Sequence, residues 1–286
     1  MSNQNQIQIQ QQAMLEAINR TEIDMQIATA KRYPRDTKRV LERIRESATE
    51  DITIAQECFY SLPRDGKSVE GVSVRMAEIM AGAWGNLRVQ TRVIGNDGKT
   101  ITAQGICHDL ETNVAVSVEV KRSIVNKYGK TYSEDMQVVT GNAASAIAFR
   151  NAVLKIIPKA TTNKTIEEVK KVAMGKMKDL KTSREQCVEV FKQFKVTEEM
   201  LCELLEVEKI SDINQEQLFT LRGLYNAIKE GTTTIEEAFQ DVRSKSQAKS
   251  AMAKAQEAKA KAQAAMNKNV VDAEDAVIIN DKEEKQ

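Results

Sequence analysis

Between Leu87 and Lys121 the chain repeats its hydrophobic pattern every second residue. Leu87, Val89, Thr91 and Val93 alternate with Arg88, Gln90, Arg92 and Ile94. Ile101, Ala103, Gly105 and Cys107 form a second series, and Val114, Val116, Val118 and Val120 a third. A period of two sends alternate side chains to opposite faces of a strand. GNDG at 95–98 parts the first run from the second and is a strong hairpin signal, and DLETN at 109–113 turns the chain again. The segment predicts a three-stranded antiparallel β-meander, which the rest of the chain must cover on at least one face.

Helical spacing surrounds this segment. Val40, Leu41, Ile44 and Ala48 mark a helix that Asp36 or Thr37 can cap. A second helix is expected after Asp51, carrying Ile54, Cys58 and Phe59 and stopping at Pro63, with PRDGK as a turn. SVEG leads into a third helix, with Val72, Met76, Ile79, Met80 and Ala83 on one face and Gly85 as its stop. After the meander, NKYGKTYS at 126–133 reads as an exposed loop, followed by a long helix from about Glu134 to Ile157, ended by Pro158. The centre of that helix, GNAASAIA, is made of small residues that permit close approach to a sheet.

The fold class expected is therefore α+β: helices plus a three-stranded antiparallel β-meander followed by a long helix, with a small all-α C-terminal module and disordered tails. Residues 1–20 read as a flexible Gln-rich arm, 21–160 as an α+β core and 161–181 as a helical linker. Residues 182–240 read as a small helical bundle around Val188, Phe191, Leu201, Leu218, Leu221 and Leu224. Residues 241–286 read as a disordered charged tail. On that division, a chain cut after about Lys181 keeps a core that binds its ligand.

Composition excludes several functions. With 42 Lys+Arg against 41 Asp+Glu, the net charge of +1 leaves no uniform basic coat. The four cysteines, Cys58, Cys107, Cys187 and Cys202, are scattered, and His108 is the single histidine, so no zinc-ligand spacing is present. Reduced thiols of a cytoplasmic protein are the expectation. No apolar run reaches the ~20 residues that span a bilayer, and MSNQNQIQIQQQ lacks the pattern of a signal peptide. Neither a phosphate-binding GxxxxGK[ST] nor a GxSxG nucleophile motif occurs. Asp97, Asp109, Glu111, Glu134 and Asp135 sit where turns and helix starts favour carboxylates in any case. No enzyme, cofactor or metal is expected.

Local basic clusters remain. Lys31, Arg32, Arg35, Lys38, Arg39, Arg43 and Arg45 stand against Asp36 and Glu42, a local charge of +5. Lys121, Arg122, Lys127 and Lys130 interleave with Tyr128 and Tyr132, offering cations for phosphates and rings for stacking. Arg150, Lys155 and Lys159 lie on the long helix, and Arg75 is spaced to pair with Glu78. Each cluster also suits an ordinary solvated surface.

The order helix, meander, basic loop, long helix resembles the DNA-annealing core of the single-strand annealing proteins. These are the RecT, Red-beta, Erf and Sak types of phages and the eukaryotic Rad-fifty-two recombination protein. VSVRMAEIMAGAWGNLRVQTRVI resembles the helix leading into the first strand of that core, and ITAQGICHDLETNVAVSVEVKRSI its next two strands. TGNAASAIAFRNAVLKIIP resembles the long helix behind the sheet. IATAKRYPRD, SVRMAEI and LRGLYNAIKEG are similar to segments of phage recombination-cassette proteins.

The resemblance implies ATP-independent binding of single-stranded DNA and annealing of complementary strands in phage homologous recombination, in the cytoplasm of a bacterial host. It also implies a homo-oligomer, ring or helical filament, and no membrane. A phage exonuclease or host single-strand-binding protein would be recruited through the C-terminal module or tail. The DNA-binding candidates are Arg75, Arg88, Arg92, Lys121, Arg122, Lys127, Tyr128, Lys130, Tyr132, Arg150 and Lys155, with Lys31, Arg32 and Arg35. Two other readings stay open: a protein that coats single strands without annealing them, and a structural or regulatory phage oligomer that binds no DNA.

Overall fold

The computed structural model describes residues 3–64, 67–126, 128–175, 180–240 and 242. The fold is α+β, and its sheet is the meander expected. Strands β3 (Leu87–Asn96), β4 (Thr100–Asp109) and β5 (Val114–Ser123) pair antiparallel in the order β3-β4-β5. Asp97 shapes the first turn by accepting from the backbone N–H groups of Lys99 and Thr100 and from the Thr100 hydroxyl. These hydrogen bonds hold its carboxyl down at about 2. The register between β3 and β4 shifts between Val93 and Gly95, so Ile94 occupies a bulge.

The long helix α5 (Glu134–Ile156) follows and lies across one face of the sheet. Ala103 of β4 packs with Ala144 and Ala148 of α5, the small residues allowing a close approach. Contact is tightest at Gly105, where a Cβ would run into the carbonyl oxygen of Ala148. Every odd-numbered residue of β4 from Ile101 to Asp109 is buried on this side.

The main core lies at the other end of α5. Helix α2 (Thr37–Thr49), capped by Asp36, contributes Val40, Ile44 and Ala48. Helix α4 (Val74–Trp84), capped by Ser73, contributes Met76, Ala77, Met80 and Trp84. Val153 and Ile157 close the core from the end of α5.

Four expectations change. Helix α3 (Ile52–Glu57) stops six residues before Pro63 (63 − 57), and β1 (Phe59–Arg64) pairs with β2 (Lys67–Val72) as a second, two-stranded sheet. The turn expected at PRDGK centres on residues 65–66, which lie outside the described residues, and its flanks are strands. Pro63 is tolerated because a two-stranded sheet consists of edges.

Residues 3–20, expected to be a flexible arm, belong to the continuous helix α1 (Asn3–Arg32). Gln has good helix propensity, and the first Pro or Gly of the chain is Pro34. Within the expected linker 161–181, the residues of α6 (Lys159–Met174) belong to the core, where Val169 and Ala173 are buried, and residues 176–179 lie outside the described residues.

Nor is the 182–240 segment a separate module: residues up to Ala238 form one compact unit. Helices α7 (Leu180–Lys192), α8 (Glu198–Leu205) and α9 (Gln215–Lys229) do share the apolar cluster expected, with Phe191, Leu201, Leu221 and Leu224 buried. Yet α9 also packs on β1. Phe219 meets Phe59 with ring centroids 5.5 Å apart, and Asn226 donates to the carbonyls of Gln56 and Phe59 at 2.8 Å each. Gly223 leaves no room for a side chain, because a Cβ there would lie 2.8 Å from the backbone nitrogen of Ser61. The short α10 (Ile235–Ala238) ends this unit. The tail from residue 243 onward lies outside the described residues.

Candidate nucleic-acid interface

With α5 on one side, the sheet leaves its other face to solvent. The register sets who shares it. Arg88 stands opposite His108, Gln90 opposite Ile106 and Arg92 opposite Gln104. On the other flank Ser117 stands opposite Ile106, Glu119 opposite Gln104 and Lys121 opposite Thr102. All belong to the polar phase of their strands. Three cations against Glu119 give this face a local charge of +2 from its Arg, Lys and Glu residues. Arg92 donates through Nε to the Gln104 amide oxygen at 2.9 Å, and Gln104 donates to Ser117 Oγ at 3.0 Å. These neutral partners orient Arg92 without cancelling its charge.

Both ends of the face carry more cations. At one end, exposed Lys31 and Arg32 close α1, with the Arg32 guanidinium 5.6 Å from the Tyr33 ring centre. That end is fixed to the sheet: Asn86 donates to the Tyr33 carbonyl at 2.9 Å and to Glu111 at 2.6 Å. At the other end, Thr131 donates to the Gly98 carbonyl at 3.2 Å. Exposed Lys99 and Lys130 lie there, with Tyr128 exposed and Tyr132 half-buried. Ten-residue β3 spans about 33 Å, so the cations line the length of the sheet.

The structure removes four candidates from this surface. Arg35 is half-buried and fully engaged; both of its terminal nitrogens reach Asp109, at 2.6 and 2.8 Å, its Nε lies 3.1 Å from Glu111, and it stacks 5.0 Å from the Trp84 ring centre. Burial pushes the Asp109 carboxyl up, but hydrogen bonds from Arg35 and from the Glu111 and Thr112 N–H groups hold it below its ordinary value. Arg122 is in the α5-facing phase of β5 and donates to the Thr232 carbonyl at 2.9 Å. Arg150 is only 6% exposed and lies over Tyr60, 4.7 Å from its ring centre. Arg75 is exposed but ion-paired with Glu57 at 3.5 Å and Glu78 at 3.2 Å. Lys155 is exposed near the end of α5. Lys127 lies outside the described residues.

Sequence reading missed the amides of the open face, Gln90 and Gln104, and Lys99 in the first turn. The alternation itself was the available signal, since the polar phase of paired strands forms one surface. Beside the face, α1 and the start of β3 enclose an open groove of about 760 Å³, lined by Glu22, Met25, Gln26, Arg88, Gln90 and Leu110. Arg88 donates to Gln26 Oε1 across it, at 3.1 Å.

Among the described residues, no three His, Cys, Asp or Glu side chains are grouped to hold a metal ion. Burial pushes the Cys58 thiol up to about 12 and the Cys107 and Cys187 thiols up to about 11, which leaves them poor nucleophiles. No described helix is long and apolar enough to cross a membrane. Comparison with protein-family models, curated proteins and solved structures finds no match for this chain.

Proposed function

We propose that the protein binds single-stranded DNA and anneals complementary strands without ATP, as a RecT-type protein of phage recombination. The observation that carries this reading is the open sheet face, where Arg88, Arg92 and Lys121 are spread among neutral amides and hydroxyls. Cations at that spacing neutralise phosphates along an extended strand. The face has no deep slot to enclose every base, so the strand's bases stay available for pairing. Correct pairing then supplies the free energy, and the protein's part is to relieve repulsion between two polyanions. Assembly into a ring or filament would join such faces into a longer track. The exposed surface of α7 and α8 and the acidic end of the chain would meet an exonuclease or a single-strand-binding protein.

The test is annealing of two complementary dye-labelled oligonucleotides without ATP. Acceleration that fades with salt is the expected result. Three phosphates neutralised by the face predict a log–log salt slope of roughly −2 for single strands. Binding without acceleration would make the protein a coating protein. No binding at low salt would leave it a structural or regulatory oligomer.

A further inference from the structure

We infer that the groove between α1 and β3 holds one base of the bound strand and prefers a base with an exocyclic amino group. This inference rests on the single-strand reading of the sheet face. Arg88 and Gln90 belong to both places: they stand in the solvent-facing phase of β3, and they line the groove. A strand lying on the face therefore passes the groove's mouth, and a nucleotide there can turn its base inward.

The lining is suited to a base and unsuited to a phosphate. Buried Leu110 gives an apolar wall and Met25, 66% exposed, an apolar rim, and about 760 Å³ lies within the usual range for small-ligand sites. The Glu22 carboxylate would repel a phosphate. A base edge instead presents donors and acceptors side by side. The Gln26 amide nitrogen and the Gln90 amide can meet these, because the Arg88 bond engages only the Gln26 oxygen. The guanidinium of Arg88 offers a plane on which a base can stack. Glu22, which only accepts, matches the amino group of cytosine, adenine or guanine. Thymine has no such group, and its carbonyls would face the carboxylate.

The experiment measures binding of the full chain, by fluorescence anisotropy at low salt, to a thymidine homopolymer and to the same oligonucleotide with one central cytosine. Wild-type protein should bind the cytosine-containing strand at least about fivefold more tightly. Glu22→Ala and Gln26→Ala, both on α1 and off the sheet face, should each shrink that ratio towards one while still binding the homopolymer. Equal wild-type affinities would overturn the groove assignment and leave the single-strand reading standing. A preference that survives in both variants would overturn it as well, by placing base recognition elsewhere. No binding to either strand would overturn both readings together.

Discussion

Arg35, in the short connection between α1 and α2, grips Asp109 at the end of β4 with both terminal nitrogens, at 2.6 and 2.8 Å. The two side chains are 11% and 7% exposed. This pair fixes the connection that follows the N-terminal helix to the end of the sheet. Removing one partner strands a buried charge, so Arg35→Ala should cost about 3–5 kcal/mol, read as a fall in denaturant midpoint. Because the folded carboxyl lies below its ordinary value, its contribution is complete above the unfolded value near 3.8 and is lost as pH falls through the folded one. Acid titration of stability should therefore be shallower below about pH 4 in Arg35→Ala than in the wild type. Parallel acid profiles would mean that the pair does not govern this response.

Two glycines should respond to alanine with opposite sign. At Gly105 a methyl group meets the Ala148 carbonyl, and α5 must move off the sheet. Gly105→Ala should destabilise by roughly 1–3 kcal/mol. Gly82, within α4, faces open space: a Cβ there would meet nothing within 4 Å. Gly82→Ala should stabilise by about 0.5–1 kcal/mol through helix propensity. Thermal melts of the two variants decide the matter, and a neutral Gly105→Ala would show that α5 sits more loosely on the sheet than this contact requires.

Cations on and off the open face should separate cleanly. Arg92→Glu and Lys121→Glu should each weaken single-strand binding several-fold at low salt, with the melting temperature kept. Arg122→Ala and Arg150→Ala should instead lower the melting temperature, since one holds the Thr232 carbonyl and the other covers Tyr60. If Lys121→Glu binds like the wild type, the face is not the DNA path.

A chain ending at Lys181 should not fold as the full chain does. It lacks Phe219, Asn226 and Gly223, the residues of α9 that complete the seat of β1. Circular dichroism should show a broad, low-temperature transition. A sharp native-like melt would return residues 182–240 to the status of a separate module.

The meander and its open face were legible because alternation is a local signal, and the register then brings Arg88, Arg92 and Lys121 together. The hairpin β1–β2 was not, because Cys58 and Phe59 fit a helical period as well as a strand. Arg35, Arg122 and Arg150 resembled surface cations because their partners are remote in the chain. Asp109 is 74 residues from Arg35, and Thr232 is 110 from Arg122. Charge alone carries no mark of such pairing. Arg75 was the exception, since Glu78 lies one helical turn away.

The bond from Asn226 to the carbonyls of Gln56 and Phe59 joins residues separated by 170 and 167 positions. During synthesis the first third of the chain therefore waits for the last quarter. At about 5–20 residues per second, the partly made chain spends many seconds with β1 and its side of the main core uncovered. Closing so long a loop is also slow once the chain is free. A nascent chain of this kind is a natural client for chaperones, and its yield on expression should depend on how quickly α9 emerges.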